Sequence, residues 1–115
     1  MNPEVKAKWV AALRSGEYKQ GRGALRNAAD EFCCLGVLCD LSPFPWLGPP
    51  ERKMRPSYDI EERPHFLTSG YLSEPVAEWA GLVDTNPVVD GNTLSHLNDT
   101  GCPFDQIADL IEAEL

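Results

Sequence analysis

The chain has 115 residues and a mass of 12.7 kDa, enough for one domain around one hydrophobic core. With 43% hydrophobic and 24% charged residues it is neither disordered by composition nor built for a bilayer, and no apolar run approaches the roughly 18 residues of a spanning helix. Ten Lys and Arg against 18 Asp and Glu give a net charge of −8, which argues against general binding to nucleic-acid backbone or anionic membrane.

Residues 3–15 read as a helix. Asn2 suits the N-cap, Pro3 the first turn, Val5, Trp9 and Leu13 form an i, i+4, i+8 stripe, and Gly16 ends it. Glu17-Tyr18-Lys19-Gln20 looks extended. After the turn Gly21-Arg22-Gly23, Ala24-Leu25-Arg26 is expected to return as the second strand of a short hairpin, with Asn27 to Asp30 as a second turn. Residues 33–41 are apolar on nearly every side, and their length fits either a buried strand or a buried helix. Their leucines and the late polar Asp40 favour a central packed helix in which Gly36 lets another element approach closely.

Residues 43–64 hold six of the ten prolines, so an irregular segment is expected there, pinned by Phe44, Trp46 and Tyr58. Ser73-Glu74-Pro75 opens a further helix with Ser73 as N-cap, Val76, Trp79 and Ala80 facing inward and Gly81 closing it. Asn86 to Gly91 is a short extended piece ending in an Asp-Gly turn. Asn92 or Thr93 then caps a short helix through Leu94 and Leu97. Pro103 leads the last helix, with Phe104, Ile107, Ala108, Ile111 and Leu115 along one side. The expected fold is α+β: one small helix-rich domain over residues 1–115, with a short β-hairpin and a long proline-rich irregular segment.

Charge and cysteine add a setting. Residues 1–30 carry six bases and three acids, whereas residues 71–115 carry nine acids and no Lys or Arg. Such asymmetry suits attraction within or between protomers, or an acidic face that competes for a basic groove, or a merely soluble surface. Cys33, Cys34 and Cys39 lie in one apolar run, Cys102 stands apart, and no Cys-x-x-Cys pair is present. Met1-Asn2-Pro3-Glu4 lacks the basic start and apolar stretch of a secretory signal, so reduced thiols in a cytoplasm are expected, with no metal site and no cofactor.

Several segments together resemble a known family. They are Leu13 to Gly21, Phe32-Cys33-Cys34-Leu35-Gly36-Val37-Leu38-Cys39-Asp40-Leu41, Val76 to Leu82, Leu97-Asn98-Asp99-Thr100-Gly101, and Phe104 to Glu112. In that order and spacing they look like a family of small proteins of tailed bacteriophages and prophages. The resemblance brings no activity and no catalytic residues. It implies the cytoplasm of an infected bacterium and, by analogy with other small accessory phage proteins, a role in countering host defence.

Four groups of residues are candidates for that role. The first is Tyr18, Lys19, Gln20, Gly21, Arg22 and Gly23 with Arg26. Its glycines let backbone amides converge on an anion, its bases add charge, and Tyr18 offers a ring to a base; the alternative is a solvated turn. With Trp46 or Tyr71 stacking, this set would bind and sequester a nucleotide-derived immune signal, in a homo-oligomer. The second is a Cys33 or Cys34 thiolate of lowered pKa near a helix N-terminus, with His96 as base and Asn98 or Asp99 as orienter; the alternative is buried packing thiols. The third is the acidic stretch from Glu74 to Glu114, which would inhibit a host defence nuclease or DNA-binding protein; the alternative, favoured by the way these acids alternate with core residues, is a solvated helix face. The fourth is the aromatic set Trp46, Tyr58 and Tyr71, a pocket wall or a set of loop anchors.

Overall fold

Asn2 starts the first helix as expected. Its Oδ1 accepts hydrogen bonds from the backbone N–H groups of Glu4 (2.9 Å) and Val5 (3.2 Å), two donors that helix geometry leaves unpaired. Helix α1 then runs Pro3–Arg14 and buries Val5, Trp9, Val10 and Leu13. The computed structural model describes residues 1–27, 29–44 and 71–115. The expectations for the proline-rich segment beyond Phe44, with those for Trp46 and Tyr58, lie outside the described residues.

The central run is a helix, not a strand. Helix α2, Cys34–Leu41, buries every side chain from Cys34 to Cys39. Trp9 of α1 is fully buried beside it, and its indole N–H donates to the Cys34 carbonyl at 3.0 Å. An indole buried at this depth needs such a partner. Helix α3 is Glu74–Ala80. Ser73 holds the N-cap position with extended backbone, but its hydroxyl makes no capping bond, and Trp79 is only partly buried. Helix α4, Leu94–Asp99, is capped by Thr93, whose Oγ1 accepts from His96 N–H. Helix α5, Phe104–Glu114, buries Phe104, Ile107, Ala108 and Ile111 along one side. It packs chiefly on α1, and α2 lies against α1 and α4.

The pairing of the short strands differs from expectation. Strand β1, Lys19–Gln20, pairs in parallel with β2, Glu31–Phe32, in the register Lys19 with Glu31 and Gln20 with Phe32. Ala24-Leu25-Arg26 does not return along β1; Arg26 makes a single antiparallel bridge to Phe32. The cause is burial. Ala24 and Leu25 are core residues, and the Leu25 carbonyl, which accepts from Cys33 N–H, lies directly over Gly36 of α2. A strand beside β1 would lift this apolar pair off the helix. Among the described residues a hairpin lies later instead. Strands β3, Val88–Val89, and β4, Asn92–Thr93, are antiparallel and are joined by Asp90 (φ 50°) and Gly91 (φ 76°). Two left-handed residues make the tight turn whose twist matches a hairpin, and Asp-Gly supplies both. The architecture is a small helix-rich α+β domain with two two-stranded sheets among the described residues.

Candidate functional site

Three of the segments that carry the family resemblance meet at one buried side chain. Asn98, in the last turn of α4, is fully buried. Its Oδ1 accepts from Gln20 Nε2 (2.9 Å) and from the Cys34 backbone N–H (3.1 Å). Its Nδ2 donates to the Gly21 carbonyl (2.8 Å) and to Asp99 Oδ1 (3.3 Å). Both ends of the amide are therefore used, so burial costs it little. The residues from 18 to 21, the start of α2 and the end of α4 are tied together through this amide.

The basic glycine loop stands on this hub, and most of its donors are turned inward. Gly21 N–H donates to the Phe32 carbonyl at 2.8 Å. Gly23 N–H donates to the Asp99 carboxylate at 3.1 Å, so the backbone donor offered to an anion already holds one from the protein itself. Gln20 Nε2 also reaches the Cys102 carbonyl (2.8 Å). The Tyr18 hydroxyl donates to Asp40 (2.6 Å), and its ring meets Phe32 edge-on at 5.1 Å. Burial first, and then the Asp40 carboxylate, push the Tyr18 phenol well above its usual range, so it remains a donor. Lys19, with a side chain 77% exposed, pairs with Glu31 at 3.4 Å. The hydrogen bond from Asn27, and then Lys19, holds the Glu31 carboxyl below its usual range. Arg26 pairs with Asp30 (2.8 Å) and lies over the Phe32 ring.

Arg22 is exposed, with its guanidinium beside Gly101. The structure thus groups Tyr18 and Arg26 around Phe32, and Gln20, Gly21 and Gly23 around Asn98 and Asp99. Tyr71 is exposed, just ahead of α3, and Trp46 lies outside the described residues. Asn98 and Asp99 had a sequence signal, the Leu-Asn-Asp-Thr-Gly segment. Sequence reasoning attached it to a thiol mechanism and missed its architectural role.

The expectation of an activated thiol is overturned. Cys33 is the N-cap of α2, and its sulfur accepts from Gly36 N–H at 3.4 Å. Burial nevertheless outweighs that bond and pushes the thiol up to about 11. Burial also pushes the Cys34 and Cys39 thiols up, and Cys34 Sγ donates to the Leu94 carbonyl. A thiolate has no water here to stabilise it. All four cysteines are free, and Cys102 is the one that is not fully buried. Titration with a disulfide reagent at pH 8 is therefore expected to modify Cys102 quickly in the native protein, and all four thiols only after denaturation. Rapid native modification of Cys33 or Cys34 would contradict this packing.

The acids are arranged differently from the bases. All nine Asp and Glu of residues 71–115 are exposed, and no Lys or Arg occurs in that stretch. Asp105, Asp109 and Glu112 fall on one outward stripe of α5, at i, i+4 and i+7. Arg14 of α1 pairs with Asp109 (2.5 Å) and Glu112 (3.1 Å), and both raise its pKa. This is attraction within the protomer between the basic and acidic ends of the chain. Among the described residues no cluster of three or more His, Cys, Asp or Glu is arranged to hold a metal ion, and no helix is long and apolar enough to cross a membrane.

Fold and hub define the class: a small helix-rich α+β domain locked by a buried asparagine, with an acidic outer surface. The chain belongs to the family described as domain of unknown function DUF8296, whose profile matches residues 1–115. No curated protein and no solved structure matches it.

Proposed function

We propose that this protein is a non-catalytic binding protein that uses the acidic surface of residues 71–115 to engage a basic groove on a partner protein. The observation that carries this reading is the exposure of all nine acids in a stretch without Lys or Arg. Such a surface speeds association with a positive groove and competes with nucleic acid for it, with an effect that weakens as salt rises. The resemblance to phage proteins supplies the setting: the cytoplasm of an infected bacterium, and a defence nuclease or DNA-binding protein of the host as target. The protonated, buried thiols support binding rather than cysteine catalysis.

A second reading keeps the basic loop as a nucleotide-sequestering site. It is supported by the exposed side chains of Arg22 and Lys19 on that loop. A phosphate at the Gly23 amide would have to displace the Asp99 carboxylate, which is why this reading stands second.

One experiment separates the two. Phage plating is compared on defended bacteria expressing the wild type, Arg22→Glu, or the triple variant Glu74→Lys/Glu78→Lys/Asp105→Lys. None of these acids pairs with Arg14, and because Glu74 and Asp105 stand in the first turns of α3 and α5, an unchanged melting temperature is required of the triple variant before its plating is read. The acidic-surface reading expects wild type and Arg22→Glu to restore plating and the triple variant to fail. The reverse pattern would sink it and support nucleotide sequestration.

A further inference from the structure

A shallow depression of about 350 Å³ runs along the outer side of α1, at its border with α5. Its axis is formed by Pro3, Ala7, Val10 and Arg14, spaced 4, 3 and 4 apart. That is the spacing at which one helix presents a continuous seam to another. Ala7 and Ala11 are exposed and small, and the nearly buried Val10 forms the floor. A helix backbone can approach such a strip closely.

The two ends of the depression differ in charge. Lys6 lies near the end formed by the first turn of α1. The other end carries the Arg14 guanidinium beside two carboxylates, Asp109 and Glu112, and so has a net negative charge. Among the residues that line it, Lys6 stands toward one end and the Arg14–Glu112 pair at the other, the exposed Glu4 of the first turn lying outside the lining, and such a lining is complementary to itself when turned through two-fold symmetry. We propose that this face of α1 binds a second copy of the chain, α1 against α1 in antiparallel orientation. With the two-fold axis between positions 8 and 9, Pro3 faces the partner's Arg14, Ala7 the partner's Val10, and Lys6 the partner's Ala11. Each Lys6 then approaches the partner's Glu112. The contact is isologous, so it closes as a dimer instead of growing into a fibre.

Size sets the strength. A helix of 12 residues is about 18 Å long. A seam of that length buries less than the roughly 800 Å² per partner of a standard stable interface. The dimer is therefore weak, with a dissociation constant in the micromolar range or above. It also stands independently of the acidic-surface reading, whose test uses none of these residues.

Sedimentation equilibrium of the full chain from micromolar to near-millimolar concentration tests the proposal. Wild type is expected to pass from monomer to dimer across that range. Ala11→Arg places bulk and charge on the seam and should remain monomeric with an unchanged melting temperature. Lys6→Glu and Glu112→Lys should each weaken the dimer on the order of tenfold, since two-fold symmetry applies each change twice. The combined Lys6→Glu/Glu112→Lys variant restores the opposite charges and should recover dimerisation. A wild type that is monomeric throughout, a dimer indifferent to Ala11→Arg, or a combined variant no better than its parents would each overturn the proposal.

Discussion

Gly36→Ala is expected to destabilise the protein by about 3 kcal/mol or more, although alanine is the better helix former. At an exposed helix position the same change gains up to about 1 kcal/mol. Position 36 differs because of what lies over it. A methyl group there would sit 2.7 Å from the Leu25 carbonyl carbon and 3.2 Å from its Cα, and would overlap the carbonyl oxygen itself. Those atoms are backbone, so no rotamer change relieves the clash. Nor can the Leu25 segment retreat: its side chain is fully buried and its carbonyl accepts from Cys33 N–H at 3.3 Å. Either α2 shifts away from Trp9 and α4, or residues 24–26 lift out of the core. A urea unfolding curve reads the loss directly, and thermal melting should fall by more than about 10 °C. An alanine variant as stable as wild type would mean that α2 is not seated under residues 24–26.

The same segment explains how far the sequence was readable. Helix α1 was legible because its signals are local: an Asn cap, a proline in the first turn and an i, i+4, i+8 stripe that all agree. Helix α5 was legible for the same reason, and so was the Asp-Gly turn. The partner of β1 was not legible. Gly21-Arg22-Gly23 looks like a hairpin turn, and nothing nearby says that Leu25 is claimed by Gly36, eleven residues on. A two-residue parallel pairing leaves almost no periodic trace. Gly36 itself was read correctly as a place of close approach, but its neighbour could not be named from spacing. In the candidate site, the loop residues stood out in the sequence, but the hydrogen bonds that tie them to the rest of the fold did not. A polar residue that holds a fold together and one that holds a ligand look alike until their partners are known. The spent donors of Gln20, Gly21 and Gly23 became visible only with Asn98 and Asp99 in position.

Asn98→Ala tests that assignment, and a loss of about 3 kcal/mol is expected. The truncation removes four hydrogen bonds, but they do not count equally. Gln20 keeps the Cys102 carbonyl, and Asp99 keeps the Gly23 amide. The heavier cost comes from the Cys34 N–H and the Gly21 carbonyl, which lose the Asn98 amide at buried positions. Each orphaned backbone group costs roughly 1–3 kcal/mol. Asn98→Asp then discriminates a hydrogen-bond hub from simple packing, because the side chain keeps its shape. The oxygen facing Gln20 and Cys34 is retained. The former donor becomes an oxygen set against the Gly21 carbonyl and the Asp99 carboxylate, 3.3 Å from the latter in the parent. Burial and that neighbour both favour the protonated form, so the new carboxyl has a raised pKa in the folded state. The sign follows: the cost of this carboxyl is smallest at pH below the ordinary aspartate range and grows as pH rises through the raised folded-state value. A stability profile of Asn98→Asp that declines toward neutral pH, beside an Asn98→Ala profile without that decline, is the expected pair. Two parallel profiles would show that the amide fills space at the junction of α2, α4 and the loop without holding them together.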